Sequence, residues 1–394
     1  MTEKLYEKDA YCREFSATVR ECRERGSGYA LVLDRTAFYP EGGGQPGDTG
    51  FLRTETGESW RVLDTHEKNG EVLHYTETPL AAGSRVYGSI DWERRFDLMQ
   101  NHSGEHIVSG LIHEAFGYQN VGFHMGSDVL TIDLDGELSA DDLQRIEYRA
   151  NEAIWQNRAT QIRVYDEEAV KALEYRSKKE LHGQVRIVTF PGFDVCACCG
   201  THVKQTGEIG LIKLLSAEKF RGGTRVEMLC GQRAYRYTAE ICAQNHRISV
   251  LLSAKPDATA AAVERLKESE AEALFRAGAL ESELFAGKAR QLAGAGDVVL
   301  FEDRLSPESV RRLAVAVMET CGGRCAVFSG SEEAGYKYAV GKKNGDLRAL
   351  VKEMNARLNG RGGGKPFFAQ GSVSASREEI EEFFRGTASC GVLS

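Results

Sequence analysis

The chain has 394 residues, of which 42% are hydrophobic and 27% charged, and its formal net charge is −8. This is a globular composition, and the negative charge argues against broad nonspecific binding of nucleic acid. No run of about 18 apolar residues predicts a membrane span, and the polar, acidic N-terminus does not resemble a secretory signal. We therefore expect a cytoplasmic protein of two or three domains, at about 100–200 residues each.

Residues 1–95 have the pattern of a β-rich domain. GYALVLDRTAFY alternates β-branched and aromatic residues, and WRVLDTHEKNGEVLHYTE predicts two strands joined by a turn at Asn69 and Gly70. A glycine-rich segment lies between these two stretches. Several short strands separated by glycine turns favour a barrel-like domain or a curved sheet.

Residues 96–250 mix helices and strands and predict an α/β domain. Apolar residues at helical spacing predict a helix over FDLMQNHSGEHIVSGLIHEAF. Ser139, followed by two acidic residues, is a signal for the start of a second helix. VLTIDLDG and VRIVTF predict strands, and GLIKLLSAEKFRGGTRVEMLCG predicts a strand, a turn and a strand.

The remaining residues predict a linker and a separate domain. Residues 251–296 are interpreted as a helical linker, because 259–293 is rich in Ala, Glu, Leu, Lys and Arg and carries a loose apolar stripe. An ordinary packed surface helix is the alternative. Residues 297–394 alternate strand and helix, which predicts a small α/β domain. The fold class predicted for the whole chain is α+β.

Two pairs of residues have the spacing of metal ligands. His102 and His106 stand four residues apart on a predicted helix, so both imidazoles point from the same face. Cys198 and His202 have the same spacing far downstream. Each pair alone is weak evidence, but together they can supply four nitrogen and sulfur ligands, a set that suits zinc. Glu105 stands between the histidines without forming HExxH, which argues against a protease.

Spacing leaves the choice of thiolate open. Cys196 and Cys199 flank Cys198, and in a cytoplasmic chain such a cluster favours metal binding or catalysis over disulfides. His124 in VGFHMG is a further candidate ligand, although a histidine in a strand or a pocket wall explains it equally simply.

The segment TAFYPEGGGQPGDTG, residues 36–50, is rich in glycine. Glycines let a backbone approach a ligand closely, while Gln45 offers an amide and Thr36 a hydroxyl. The pattern is neither a Walker loop nor GxGxxG. A hairpin of tight turns is the simpler alternative to a ligand-binding loop.

Four segments together resemble a known family. FYPEGGGQPGDTG, RRFDLMQNHSGEHI, CCGTHVKQTGEIGLIKLL and FRGGTRVEMLCG are similar to the editing domain of alanyl-tRNA synthetase and its free-standing AlaX-type homologues, over about residues 5–240. RGGGKPFFAQGSV resembles the glycine-rich signature of that synthetase's C-terminal domain, which DHH-type phosphoesterases share. The segments occur in the family's order, and the resemblance covers nearly the whole chain.

The resemblance implies roles for particular residues. The family's four zinc positions correspond here to His102, His106, Cys198 and His202. Gln45 matches a glutamine near the reacting ester, and Thr36 matches a hydroxyl that discriminates serine from alanine. Glu41, in the same loop, is placed with them as a catalytic candidate.

The resemblance also implies an activity and partners. The expected reaction is hydrolysis of serine or glycine from mischarged alanine tRNA at a zinc-containing site. The C-terminal domain is expected to bind tRNA and to mediate a homodimer. Four basic residues there are candidates for contacts with the tRNA backbone, namely Lys342, Lys343, Arg361 and Lys365.

Two departures from the family and three alternatives remain. Cys199 occupies a glycine position of the motif, and the chain begins directly at the editing domain, so aminoacylation and ATP use are not expected. One alternative is a non-catalytic zinc-containing module that binds tRNA. A second is a phosphoesterase acting through the C-terminal domain, although no DHH tripeptide is present. A third is a redox or metal sensor that uses the clustered cysteines.

Overall fold

The computed structural model describes residues 1–177 and 183–387, and the chain divides after residue 247 into two compact units. Within the described residues, no helix combines the length and the apolar character needed to cross a membrane. The finer division into segments 1–95, 96–250, 251–296 and 297–394 stays a prediction, and the end of the last segment lies outside the described residues.

The first unit opens with short strands. They are β1 (Glu3–Lys4), β2 (Glu14–Arg25), β3 (Gly28–Leu33), β4 (Arg35–Thr36), β5 (Gly50–Thr54), β6 (Ser59–Val62), β7 (Asp64–Lys68), β8 (Glu71–Thr76) and β9 (Arg85–Ile90), with helix α1 (Leu5–Lys8) after β1. The main sheet runs in the order β6-β5-β9-β2-β3-β8-β7, while β1 pairs with β4. Asn69 and Gly70 have positive φ angles and form the predicted turn between β7 and β8.

The predicted barrel is not confirmed. The strand order of the main sheet is linear, and its end strands β6 and β7 form no ladder with each other in the described part of the chain. The sheet is therefore open, and only its glycine turns and short strands match the prediction.

The rest of the first unit surrounds one buried helix. Its elements are α2 (Trp92–Phe116), β10 (Asn120–Met125), β11 (Leu130–Leu134), α3 (Ala140–Gln156), β12 (Gln161–Tyr165), α4 (Glu167–Lys171), β13 (Val185–Phe190), β14 (Asp194–Ala197), β15 (Ile212–Phe220), β16 (Gly223–Cys230) and most of α5 (Gly231–Leu251), within which the division after residue 247 falls. Two sheets form here, in the orders β10-β11-β16-β15 and β12-β13-β14. Ser139 caps α3 through a capping box with Asp142, as the sequence indicates.

Helix α2 is buried without interruption from Leu98 to Ile112. Close packing requires two glycines: a Cβ at Gly104 would overlap the sulfur of Cys230, and one at Gly110 would overlap the carbonyl of Phe193. Many of the buried residues of α2 are polar, and buried polar groups need partners. The segments packed against α2 must therefore supply those partners. The candidate site described below lies where they do so.

A buried ion pair ties the glycine-rich loop to the start of α2. The guanidinium of Arg95 is fully buried and pairs with the carboxylate of Asp48. It also donates to the carbonyls of Ala10 at 2.9 Å and Ala37 at 2.7 Å. Removing one partner of a buried ion pair lowers the free energy of unfolding by about 3–5 kcal/mol, because the other charge is left buried without a partner. The pair therefore holds Asp48 and Arg95 in one arrangement. The loop is thereby held beside α2.

The second unit contains a long helix and a mixed sheet. Its elements are α6 (Thr259–Gln291), β17 (Gly296–Glu302), α7 (Pro307–Met318), β18 (Gly322–Ser331), β19 (Gly335–Gly341), α8 (Arg348–Arg357), β20 (Arg361–Lys365), β21 (Phe368–Val373) and α9 (Arg377–Gly386). The sheet order is β17-β18-β19-β21-β20, parallel only between β17 and β18 among these ladders. The long helix is confirmed, and strands and helices are mixed in this region as predicted, but β19 follows β18 directly and β21 follows β20 directly, so strand and helix do not alternate strictly.

Candidate metal centre

Two segments of the first unit bring four side chains together. Helix α2 contributes two histidines, and the loop after β14 contributes a cysteine and a third histidine. We call these residues the His/Cys cluster: His102, His106, Cys198 and His202. Their ligand atoms all lie within 4.8 Å of one another. The two i, i+4 pairs predicted from spacing therefore converge, and three imidazoles with one thiol form a donor set that suits zinc.

The loop after β14 reaches α2 because it carries a glycine. A Cβ at Gly200 would overlap the imidazole of His102, so the loop can approach only without a side chain there. The amide of Gly200 donates to the sulfur of Cys198 at 3.3 Å, and the amide of Val203 donates to Ser103 on α2 at 3.1 Å. The sulfur of Cys198 consequently lies 3.5 Å from Nε2 of His102.

Each imidazole of the cluster has an outer partner at Nδ1. His102 faces the side-chain oxygen of Gln45 at 2.9 Å, and His106 faces Oδ2 of Asp194 at 2.8 Å. The third contact, 3.4 Å long, joins His202 to the hydroxyl of Ser103. Such partners fix the ring orientation and tautomer of metal-binding histidines. Nε2 of each ring is thereby left for the centre of the cluster.

The side chains of the cluster shift one another's pKa values. Burial alone would raise the pKa of the Cys198 thiol, but the imidazoles of His102, His202 and His106 outweigh burial and hold that pKa well below its ordinary value. Burial is the largest cause that lowers the pKa of His202, to about 3. Burial lowers the pKa of His106, but Cys198 and Asp194 outweigh burial and hold that pKa well above its ordinary value. Since metal ions bind a thiolate and neutral imidazoles, metal binding would release the proton of His106.

Cys196 and Cys199 differ from Cys198 in both position and chemistry. Burial raises the pKa of Cys196 to about 11. Cys199 is exposed, and neither thiol belongs to the cluster. Cys196 instead lies near His106 and Asp194 in an adjoining buried group. The geometry therefore favours Cys198 among the three thiols that spacing alone could not separate.

A cavity of about 300 Å³ opens beside the cluster. Its lining includes His102, Glu105, His106, Asn120, Phe123, Arg176 and residues 196–199. The ring of Phe123 stacks on His102, with 5.4 Å between the centroids. The cavity gives a small ligand access to the cluster along a wall that is partly apolar and partly charged.

The structure places the three loop candidates in different surroundings. Gln45 is fully buried at the cluster, where its amide donates to the hydroxyl of Thr201 at 2.8 Å. Glu41 is exposed and lies near His66, with 3.9 Å between Oε2 and Nε2. Only Gln45 of these two touches the cluster.

Thr36 lies in a buried network of its own. Its hydroxyl is 2.8 Å from Nε2 of His74 and accepts from the amide of Phe38 at 3.1 Å. Since Nδ1 of His74 is 3.0 Å from the carbonyl of Leu31, His74 donates there and accepts from Thr36 at Nε2. Thr36 is not part of the cavity lining among the described residues. His124, the other candidate, is exposed on β10.

The predicted basic residues lie in the second unit. Arg361 and Lys365 are exposed on β20, and Lys343 pairs with Glu319 at 2.6 Å. Lys342 is half-buried. A groove of about 300 Å³ runs between α8 and β20, and Lys365 lines it. Two further basic residues along this groove escaped the sequence analysis, namely Arg348 and Lys352.

The sequence analysis assigned no role to two acidic residues that lie close to the cluster. Asp194 accepts from Arg176 at 2.7 Å as well as facing His106, and Glu105 is buried in the cavity wall. A signal existed for each: Glu105 stands between the two histidines, and Asp194 begins the strand that leads to the cysteines. Neither signal reveals a role without the packing of β14 on α2.

Family models match three parts of the chain. Residues 10–94 match the family described as tRNA synthetases class II (A). Residues 185–227 match the threonyl and alanyl tRNA synthetase second additional domain. Residues 295–387 match the DHHA1 domain.

Similar proteins cover most of the chain. The alanyl-tRNA editing protein AlaX-L of Pyrococcus horikoshii is 31% identical over 96% of both chains. An alanyl-tRNA editing protein of Rattus norvegicus is 31% identical over 67% of this chain and 68% of its own. The alanine–tRNA ligase of Ignicoccus hospitalis is 31% identical over 92% of this chain but only 40% of its own length. A solved C-Ala domain from Aquifex aeolicus alanyl-tRNA synthetase aligns with 23% of this chain at 21% identity, with a TM-score of 0.21.

Proposed function

The chain belongs to the alanyl-tRNA editing proteins, which are aminoacyl-tRNA deacylases, and we propose that it removes serine or glycine from mischarged alanine tRNA with zinc held by the His/Cys cluster. The observation that carries this proposal is the convergence of the four ligand side chains at a cavity wall. A deacylase acting on tRNA also fits the cytoplasmic location expected from the sequence.

The donor set fits zinc. Three imidazole nitrogens and one thiolate match the ligands of tetrahedral zinc sites. The histidines of such sites also form a hydrogen bond through the ring nitrogen that does not bind the metal, and each imidazole here has a partner at that nitrogen. Four protein ligands close a tetrahedral site, so bound zinc would supply Lewis acidity toward the ester carbonyl or a water molecule only by taking a fifth ligand or by releasing one of the four. The protein's own contribution is to fix the ligands, and Gln45 does so for His102.

The cavity suits a small acyl group. Its volume of about 300 Å³ lies at the lower end of the range for ligand pockets. This small volume is consistent with a cavity that holds only the aminoacyl part of the substrate, such as a seryl or glycyl group. An alanine-activating site cannot fully exclude glycine, which is smaller, or serine, which adds one hydroxyl. A second hydrolytic site that acts on those two esters would lower the error of charging.

The experiment that tests the proposed function compares esters on one tRNA. Zinc-loaded protein is mixed with alanine tRNA charged with serine, glycine or alanine, and loss of each ester is followed in time. We expect the serine or glycine ester to be hydrolysed at least about tenfold faster than the alanine ester. A tenfold ratio of rates corresponds to a difference of about 1.4 kcal/mol in activation free energy. Loss of no ester would leave the non-catalytic tRNA-binding module as the better account.

We expect Thr36→Val to weaken discrimination between serine and alanine esters. This role is inferred from the family resemblance, because the hydroxyl of Thr36 contacts His74 and Phe38 in a buried network outside the described cavity lining. The ratio of the serine rate to the alanine rate should fall about tenfold, a change of about 1.4 kcal/mol. Thr36→Ser, which keeps the hydroxyl, is the matched control. An unchanged ratio in folded Thr36→Val protein would reject the role.

We also propose that the groove between α8 and β20 contacts the tRNA backbone. Because each phosphate contact contributes about 0.7–0.9 to the slope of log affinity against log salt, Arg361→Gln with Lys365→Gln should lower that slope by about 1.5. Binding of uncharged alanine tRNA at several salt concentrations measures it. Lys267→Gln, which changes an exposed lysine on α6, is the control. A slope equal to that of the wild type argues against contact at β20.

A homodimer through the second unit completes the proposal. Helix α6 exposes several large apolar side chains, namely Leu266, Leu274, Phe275, Leu280 and Leu284. Exposed apolar stripes of this length mark interaction surfaces. Light scattering measures the mass in solution, and a monomer at working concentration would contradict the dimer.

A further inference from the structure

Strand β10 brings two side chains to the cavity that a regular strand would separate. Asn120 and Phe123 both line the cavity, although residues three positions apart in a regular strand point to opposite faces. The ladder with β11 explains this, because Asn120 and Gly122 pair with successive residues of β11, which leaves Val121 as the extra residue of a bulge. A bulge shifts the alternation by one residue and redirects the side chains that follow it. The ring of Phe123 consequently reaches the cavity beside Asn120.

The ring of Phe123 is held by contacts with three parts of the first unit. It stacks on the imidazole of His102, with 5.4 Å between the centroids and 24° between the planes. A Cβ at Gly44 would lie 2.3 Å from Cδ1 of Phe123, so the glycine-rich loop packs directly on the ring. Ile132, which pairs with Phe123 across the ladder, is fully buried in the core against which Phe123 packs. Because packed interiors leave few voids, the ring is a fixed part of the cavity wall.

The position of Phe123 restricts the space for a ligand next to the His/Cys cluster. Phe123 is the largest apolar side chain in the described lining of the cavity, and its ring covers one face of His102. A cavity of about 300 Å³ has to hold the acyl group of an ester together with the edge of the ribose that carries it. Overfilling a packed site forces side chains out of their preferred rotamers, which is unfavourable. The ring therefore forms a steric limit beside the cluster.

We propose that Phe123 sets the upper size limit of the acyl group and excludes side chains larger than that of serine. This inference rests on the proposed function, because a deacylase of aminoacyl-tRNA meets tRNAs that are correctly charged with larger amino acids and must leave them intact. One methyl group more or less in an apolar pocket changes rates by about 10–200-fold. The ring does not separate serine from alanine, since alanine has the smaller side chain.

The test compares two acyl groups that differ by one methyl group. Seryl and threonyl groups share the α-amine and the hydroxyl, and threonine adds a methyl group on Cβ. Each is joined to adenosine through a non-hydrolysable 3′-amide, and binding to zinc-loaded protein is measured. Wild-type protein should bind the seryl probe at least about tenfold more tightly than the threonyl probe, and Phe123→Ala should reduce this ratio about tenfold by tightening the threonyl complex.

Two further variants separate a size limit from general support of the site. Val121→Ala is the matched control, since Val121 is exposed on the same strand and is not among the described residues that line the cavity. It should leave the ratio unchanged. Phe123→Leu keeps an apolar side chain beside His102 and should lower the ratio by less than Phe123→Ala does. Elemental analysis gives the zinc content of each variant, and Phe123→Leu decides if Phe123→Ala loses zinc.

Hydrolysis is measured separately, on alanine tRNA charged with serine or with threonine. Phe123→Ala should raise the rate for the threonine ester, relative to that for the serine ester, about tenfold. Wild-type protein that hydrolyses neither ester, while its preference for the seryl probe depends on Phe123, would reject the proposed function and support the size limit.

Three results would overturn the inference. The first is equal weakening of both probes in a zinc-loaded Phe123 variant, since it would show that the ring only supports the site. The second is a ratio that stays at the wild-type value in folded, zinc-loaded variants. The third is wild-type protein that binds the seryl and threonyl probes equally.

Discussion

Cys198→Ala will remove the metal from the His/Cys cluster and slow deacylation of the serine ester by more than about a hundredfold. Loss of a residue that only supports a ligand already lowers metal affinity or activity by up to about a hundredfold, and Cys198 is itself a candidate ligand. The sulfur lies 3.5 Å from Nε2 of His102 and 3.4 Å from Nε2 of His202, as one of the four ligand atoms. The surrounding imidazoles outweigh burial and hold the pKa of this thiol well below its ordinary value, which favours the thiolate that a metal binds. Alanine offers no ligand in its place.

Metal content by elemental analysis and the single-turnover rate measure this effect. Cys242→Ala is the matched control, because Cys242 is an exposed free cysteine on α5. It should bind zinc and hydrolyse the ester as the wild type does. A Cys198→Ala protein that keeps one zinc per chain and a near-wild-type rate would exclude the cluster as the metal site.

Asp194→Asn will weaken zinc binding by about 10–100-fold without removing a ligand, the usual cost of losing an outer partner. Both neighbours of Asp194 are donors, since Nδ1 of His106 and Nε of Arg176 each point at one oxygen, at 2.8 and 2.7 Å. A carboxylate accepts from both. An amide accepts from one and turns its own N–H groups toward the other, which rotates His106 or displaces Arg176.

Competition with a chromophoric zinc chelator gives the affinity. Asp133→Asn is the control for loss of an Asp–Arg pair, because Asp133 binds Arg225 across β11 and β16 and does not contact the cluster. The control should leave zinc affinity unchanged. Equal weakening in both variants would mean that lost stability of the unit, and not the orientation of His106, sets the affinity.

The elements that could be predicted are those with a local cause. The turn at Asn69 and Gly70 follows from residues that tolerate positive φ, and the start of α3 follows from the capping box at Ser139. Helix α2 was predicted from its apolar spacing although it is buried on every side between Leu98 and Ile112. Its polar residues at buried positions were a sign of function.

The elements that could not be predicted depend on distant parts of the chain. The short strands of the N-terminal region are compatible with a closed barrel. Long-range ladders such as those of β9 with β2 and β5 fix the strand order, and the described end strands β6 and β7 form no ladder that would close it. Local alternation of residues contains no information about which strands become neighbours.

The candidate site shows the same division. The two i, i+4 pairs identify four potential ligands, but the choice of Cys198 over Cys196 depends on the approach that Gly200 permits. Asp194 lies 88 positions from His106 in the chain, so no local pattern connects them. The placement of Thr36 beside His74 likewise depends on the packing of strands across the sheet.

The most direct test of the account is a zinc titration of metal-free wild-type protein, with hydrolysis of serine-charged alanine tRNA as the readout. We expect no hydrolysis above background without metal, a rate that rises linearly up to one zinc per chain, and little loss of the alanine ester at any point. Full activity in verified metal-free protein, or no activity with one zinc bound in the cluster, would contradict a zinc-dependent editing site.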